Sequence, residues 1–321
     1  TTTAADTKAA DTTVAAADTT AAAGGESTSS YEPSETLTII VPYAAGGGVD
    51  LGSRLLAKYL SEATPVDVVV SNVAGGGGTV GAADCLKYDA DGSYMLALNP
   101  SPTYISTKDK PLTFDILKDY EFAAIMVQDQ RLFVTSAKNT NFQTVEEAIE
   151  YGKANPGKFN IGCSGTGNSA YATAEEFLEK TGIEGNVVPF DGSSEAKSAV
   201  LGGHIDVAVQ SLSDVSSSMN EVTILATGGE ERFSKTPDVP CMTELGFPMA
   251  QYVTRGYAFK AGTDSAIINY WSDKIGEVCE NEAFLKEADS LGLPIVYMNH
   301  EEAQEDAKTE MATYQEKFGD K

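Results

Sequence analysis

Leu37-Thr38-Ile39-Ile40-Val41-Pro42-Tyr43-Ala44-Ala45-Gly46-Gly47-Gly48-Val49-Asp50 is the stretch that decides the class of this chain. Its first five residues are apolar or β-branched and are followed by proline, the mark of a buried strand. Three glycines then turn the chain. Beyond them Leu51, Leu55 and Tyr59 recur every fourth residue, with Leu56 and Leu60 beside them, which paints one apolar helix face. Strand, glycine turn and helix in succession form the unit of an α/β fold.

The same alternation extends outward. Strands are expected at 66–70, 95–98, 159–162, 205–210 and 224–226, and helices at 79–88, 169–181, 265–279 and 301–318. Thr144-Val145-Glu146-Glu147 has the spacing of a capping box, opening a helix that runs to about Asn155. Strands interleaved with helices predict an α/β protein with mostly parallel sheets. Residues 1–35 differ in kind: Thr, Ala, Asp, Ser and Gly dominate, and the first aromatic is Tyr31. Too little apolar surface is present there to offset the entropy of ordering, so a disordered tether is expected.

A second turn, Gly162-Cys163-Ser164-Gly165-Thr166-Gly167-Asn168-Ser169, again leads from strand to helix. Such turns leave backbone N–H groups at the positive end of a helix, and glycine lets a ligand approach them closely. Two of them at the carboxyl ends of strands suit the gripping of an anion from opposite sides. A third turn carries a formal GxGxxG at Gly76, Gly78 and Gly81, the pattern of an NAD-dependent oxidoreductase. The glycines begin several residues after their strand, and the next strand runs through Leu98 into Asn99-Pro100, not into an acidic residue. No GK[ST] follows any glycine run, so a P-loop is excluded.

The 321 residues allow about two domains, and the net charge of −25 argues against nucleic-acid and anionic-membrane partners. That field also repels anions, so an anionic ligand needs local donors. Four cysteines without a CxxC pair and only two histidines, His204 and His300, make a metal site improbable. Spacing leaves the cysteines open between a disulfide and buried thiols. No nucleophile motif such as G-x-S-x-G is present, and no cofactor is expected.

At these motifs the chain resembles the tripartite tricarboxylate transporter receptors, also called Bug receptors. The resemblance starts in the Pro-aromatic-x-Ala-Gly-Gly-x-x-Asp pattern of 42–50 and continues through Asn72 to Gly81 and Asp91-Gly92-Ser93-Tyr94. It goes on through Ala154-Asn155-Pro156-Gly157-Lys158, Ser164-Gly165-Thr166-Gly167 and Leu201-Gly202-Gly203-His204-Ile205-Asp206. Asp238-Val239-Pro240 and the run from Arg255 to Thr263 complete it.

The resemblance implies a two-lobe, type II periplasmic-binding fold, with one lobe at 36–130 plus 254–321 and the other at 131–253. It implies a monomeric, exported receptor, periplasmic or tethered to the outer face of the cytoplasmic membrane. Such a receptor hands a small organic acid or amino acid to membrane permease subunits. A surface lipoprotein without a transport role is the other non-enzymatic reading. Carried over by position, the ligand contacts are Tyr43, Ala44, Ala45, Gly46, Gly47 and Gly48 on one lobe. On the other they are Ser164, Gly165, Thr166, Gly167, Asn168 and Ser169, completed by Asp191, Gly192 and Ser193. Asn99, Ser101, Gln210, Ser211 and Arg255 stand near the cleft.

Two departures from the family bear on specificity: Asp191 stands where a base is usual, and Tyr171 where a His is often found. An acid facing the cleft disfavours a tricarboxylate and favours a monocarboxylate or an amino acid. Otherwise Asp191 faces away and caps the short helix starting near Ser193. Asp50 is a weaker ligand-contact candidate; its place in the first turn of its helix suits it to complement the dipole and pair with Arg54, or else to hold the glycine loop in shape.

Overall fold

Eleven strands and nine helices build two sheets among the described residues, 31–319, of the computed structural model. In chain order they are β1 (Leu37–Val41), α1 (Gly48–Ala63), β2 (Val68–Asn72), α2 (Thr79–Cys85), β3 (Tyr94–Leu98), β4 (Tyr120–Gln130), β5 (Leu132–Ser136) and α3 (Val145–Ala154). There follow β6 (Phe159–Ser164), α4 (Ser169–Thr181), β7 (Gly185–Phe190), α5 (Ser193–Leu201), β8 (Val207–Gln210), α6 (Leu212–Val215) and β9 (Val222–Thr227). The chain closes with β10 (Tyr252–Lys260), α7 (Ser265–Glu280), α8 (Glu282–Ser290), β11 (Ile295–Met298) and α9 (His300–Phe318).

One sheet has six strands in the order β11-β4-β10-β3-β1-β2, the other five in the order β7-β6-β8-β5-β9. The expectation of mostly parallel sheets needs correction, because each sheet is mixed. β1 lies parallel to β2 and β3, and β6 parallel to β7 and β8. β10 runs antiparallel to β3 and β4, and β5 antiparallel to β8 and β9. The chain crosses from the first sheet to the second at Arg131, between β4 and β5.

Each sheet is covered on both faces. α1, α7 and α8 bury Leu56, Leu60, Trp271, Ile275 and Phe284 against one face of the six-stranded sheet. α2 and α9 cover the other with Ala82, Ala303, Ala307 and Met311. On the five-stranded sheet, Val145, Ile149, Ala174 and Phe177 of α3 and α4 fill one face, and Ala199, Val200 and Val215 of α5 and α6 the other. The proposed tether lies outside the described residues through residue 30. From Tyr31 the chain already touches the body: Tyr31 meets Tyr270 edge-on at 5.4 Å, and Pro33 is buried. The cysteines are four buried free thiols.

Candidate functional site

The turns after β1 and β6 converge with the carboxyl ends of β3 and β4 on one cavity of about 130 Å³. Tyr43, Ala44, Ala45, Gly47, Gly48 and Asp50 line it from the six-stranded side, together with Asn99 and Arg255. Ser164, Asn168, Gly192 and Ser193 line it from the other. Gly46, Ser101, Gly165, Thr166, Gly167, Ser169, Asp191, Gln210 and Ser211 do not reach its wall.

Asp50 shapes the first turn. Its Oδ2 accepts the Gly46 amide at 2.9 Å and Arg54 Nε at 3.1 Å, and its Oδ1 accepts Asn72 Nδ2 at 2.9 Å. Asn72 Nδ2 also donates to the Tyr43 carbonyl at 3.0 Å, tying both ends of the loop to one amide. Burial pushes the Asp50 carboxyl up, but the Arg54, Gly46 and Asn72 donors outweigh it and hold it below the usual range.

Some of the backbone amides expected to grip an anion are already engaged. Gly46 N–H goes to Asp50, and Gly48 N–H to Asp214 Oδ1 at 3.1 Å. In the second turn Gly165 N–H goes to the Phe190 carbonyl at 2.6 Å and Ser169 N–H to Ser101 Oγ at 3.2 Å. Asn168 caps α4 by accepting the Tyr171 amide at 3.0 Å, while its own amide donates to the Ser164 carbonyl.

Unmatched donors belong instead to two arginines. Arg131 and Arg255 are 6% and 5% exposed, and both line the cavity. Arg255 Nη2 donates to Ser211 Oγ at 2.6 Å, whereas its Nε and Nη1 are buried without a partner. Arg131 Nη2 donates to Ser169 Oγ at 2.6 Å, and its Nε is unpartnered. Unmatched donors on a buried cation are costly, so the pair is poised for an anion.

Two acids accompany them. Asp214, in α6, accepts Gly48 N–H and Ser193 Oγ on Oδ1, and Ser211 N–H and Oγ on Oδ2. Burial raises its pKa, but the Arg255 charge and the serine donors win and hold it below the ordinary range. Asp129 is wholly buried and accepts Leu212 N–H at 3.1 Å; burial pushes its carboxyl up to about 7, against the pull of Arg255.

The model of the family described as "Tripartite tricarboxylate transporter family receptor" matches residues 53–316. The chain belongs to that family. A UPF0065 protein from the gbd 5' region of Cupriavidus necator is 29% identical over 296 residues, covering 89% of this chain and 88% of its own. A solved periplasmic transporter superposes with TM-score 0.83 at 26% identity, covering 88% of this chain and 96% of its own. An R. palustris protein solved with adipate also gives TM-score 0.83, at 21% identity over 88% and 96% of the two chains.

In this receptor the acid near the cleft is not Asp191. That side chain is exposed, off the cavity wall, and leaves the cap of α5 to Gly192; only its backbone N–H is engaged, by Glu195 at 3.2 Å. The Gly76-Gly78-Gly81 pattern has packing reasons. A side chain at Gly81 would meet Pro42 Cα at 2.7 Å, and one at Gly78 the Tyr104 hydroxyl at 2.8 Å. Sequence reasoning missed Arg131 and Asp214. The signal for the first was the polar run Gln128-Asp129-Gln130-Arg131 set between apolar segments, which marks buried charge. Asp214 had none beyond standing alone among serines.

Proposed function

We propose that this receptor captures a small carboxylate-bearing solute on the guanidinium of Arg255, with Arg131 beside it, and presents it to a membrane permease. The observation that carries this reading is the buried guanidinium of Arg255 on the cavity wall beside Arg131, with donors on both still unpartnered. Two parallel N–H groups of one guanidinium fit the two oxygens of a carboxylate. A cavity of about 130 Å³ holds something on the order of a benzene-sized molecule, well short of citrate.

The lobes in this reading are 36–130 with 254–321, and 131–253, moving about the crossings near Arg131 and Thr254. The receptor works outside the cytoplasm, as a monomer, either free or held by its N-terminal segment, and performs no catalysis. The turn at Gly76 to Gly81 supports closure, not dinucleotide binding.

The test is isothermal titration against short monocarboxylates, alanine, succinate, citrate and NAD, repeated on Arg255→Gln. Binding of a small acid that falls at least about 100-fold in Arg255→Gln is expected, the cost of removing a buried charged hydrogen bond. Carboxylate binding indifferent to Arg255→Gln would remove this site. Conversion of any ligand to a product would overturn the receptor reading.

A further inference from the structure

Asp214 reaches from α6 to the amino end of α1, across the line where the two sheets meet, and its Oδ1 accepts Gly48 N–H at 3.1 Å. The positive end of a helix of 16 residues is a place where a ligand anion is stabilised. Here a carboxylate of the protein itself already stands there. Its other oxygen serves the capping box of α6 through Ser211, so the short helix accounts for Oδ2 alone. Oδ1 faces Gly48 and the Ser193 hydroxyl, 2.7 Å away, one group from each side of the cavity.

We propose that Asp214 takes the place of a second ligand carboxylate, so that the receptor selects solutes with a single negative charge and refuses dicarboxylates. This deepens the reading of Arg255 as the carboxylate site and rests on it. The charges at the cavity support it. Arg131 and Arg255 face Asp214, while Asp50 is matched by Arg54 at 2.9 Å and Glu195 stands exposed at the rim. Asp129, behind the wall, is pushed up to about 7 and so adds at most part of a charge near neutrality. Lys197 Nζ is held by the Asp214 carbonyl at 2.7 Å and does not line the cavity, so on its wall two buried cations against Asp214 leave room for one carboxylate. A second would meet the buried Asp214 at the cavity wall, where like charges are screened less than in bulk water.

The experiment compares succinate with succinamate, which have the same shape and differ by one charge, by isothermal titration. The unmodified protein is expected to bind succinamate at least about tenfold more tightly than succinate. Asp214→Asn keeps an oxygen for the capping box and removes the charge. It should raise succinate affinity about tenfold or more while succinamate changes far less. Equal affinity of the unmodified protein for both acids would overturn the proposal whether or not the variant folds. So would a succinate-to-succinamate ratio unchanged in a folded Asp214→Asn. Either result leaves the Arg255 site standing if Arg255→Gln still abolishes binding. A protein that binds neither acid, nor any other carboxylate, loses the Arg255 reading and this inference together.

Discussion

Arg255 on β10 donates through Nη2 to Ser211 Oγ at 2.6 Å, and Ser211 in turn donates to Asp214 Oδ2 at 2.6 Å. Nη2 is thereby fixed to the opposite sheet, while Nε and Nη1, on opposite flanks of the guanidinium, are left without a partner. The planar fork matters as much as the charge. Arg255→Lys keeps the charge but cannot hold Ser211 and present two parallel donors together. Its carboxylate affinity should fall about tenfold, less than in Arg255→Gln; titration of both variants against the same acid checks the order. Lysine binding as tightly as arginine would mean that charge alone suffices.

Gly48 sets how closely the lobes approach. A Cβ there would press on Ser213 Oγ and on the guanidinium of Arg255, while one at Gly47 would meet Ser193 Oγ at 3.1 Å and the Ala44 carbonyl at 3.9 Å. Gly48 opens α1, so alanine suits its backbone. The cost falls on the packing against Arg255 of its own sheet and against Ser213 across the cavity. Gly48→Ala should weaken ligand about tenfold or more and enlarge the radius of gyration of the liganded protein, with Gly47→Ala close to unmodified. X-ray scattering with and without ligand, beside titration, tests this. Equal behaviour of the two variants would take Gly48 out of the closing contact.

What was legible in the sequence follows from where the physics is local. Leu37–Val41 and Ser169–Thr181 have the expected bounds, and the capping box at Thr144 is present, because runs of apolar residues and a hydroxyl three residues before a glutamate act within one turn. The strands that slipped past are β4, β5, β7, β10 and β11. β4, β5 and β10 run antiparallel to neighbours far away in sequence, so the alternation of strand and helix does not announce them. In β10, Arg255 and Gly256 also break the apolar run that would mark a strand. The site divides in the same way. Its glycine turns are local, and their place on the cavity wall is legible in the sequence. Arg131, Asp214 and Arg255 come together only through those antiparallel strands and the crossings between sheets.

Gly77 gives a separate test of the third glycine turn. Its φ is +66°, and a Cβ would lie 2.9 Å from Thr103 Oγ1 and 3.3 Å from the Thr166 carbonyl on the other sheet. Gly77→Ala should therefore lower stability by about 1 kcal/mol through backbone strain and weaken ligand by hindering closure. NAD should leave the melting temperature of the unmodified protein unchanged. A melting shift with NAD that Gly77→Ala removes would return the turn to the dinucleotide reading.

The pH dependence of stability should be set in part by Glu310 on α9. Its Oε2 is buried without a partner. Burial, then the charge of Asp306, pushes its carboxyl up to about 8, against the opposing effects of Thr254, Arg131 and Tyr314. In the unfolded chain it titrates near 4.5. Between these values the native protein keeps a proton that the unfolded chain has released, so stability is fully present below about 4.5 and is lost as pH rises through about 8. Asp129, pushed up to about 7, acts in the same direction. Asp50 and Asp214, held below the ordinary range, act in the opposite sense but only at acid pH. The net charge of −25 adds repulsion as pH rises, so the unmodified protein alone does not isolate the effect. The difference from Glu310→Gln does. Calorimetry from pH 5.5 to 8.5 should show the unmodified protein losing several degrees of Tm and Glu310→Gln losing clearly less. Parallel curves for the two proteins would show that Glu310 is ionised in the fold throughout this range.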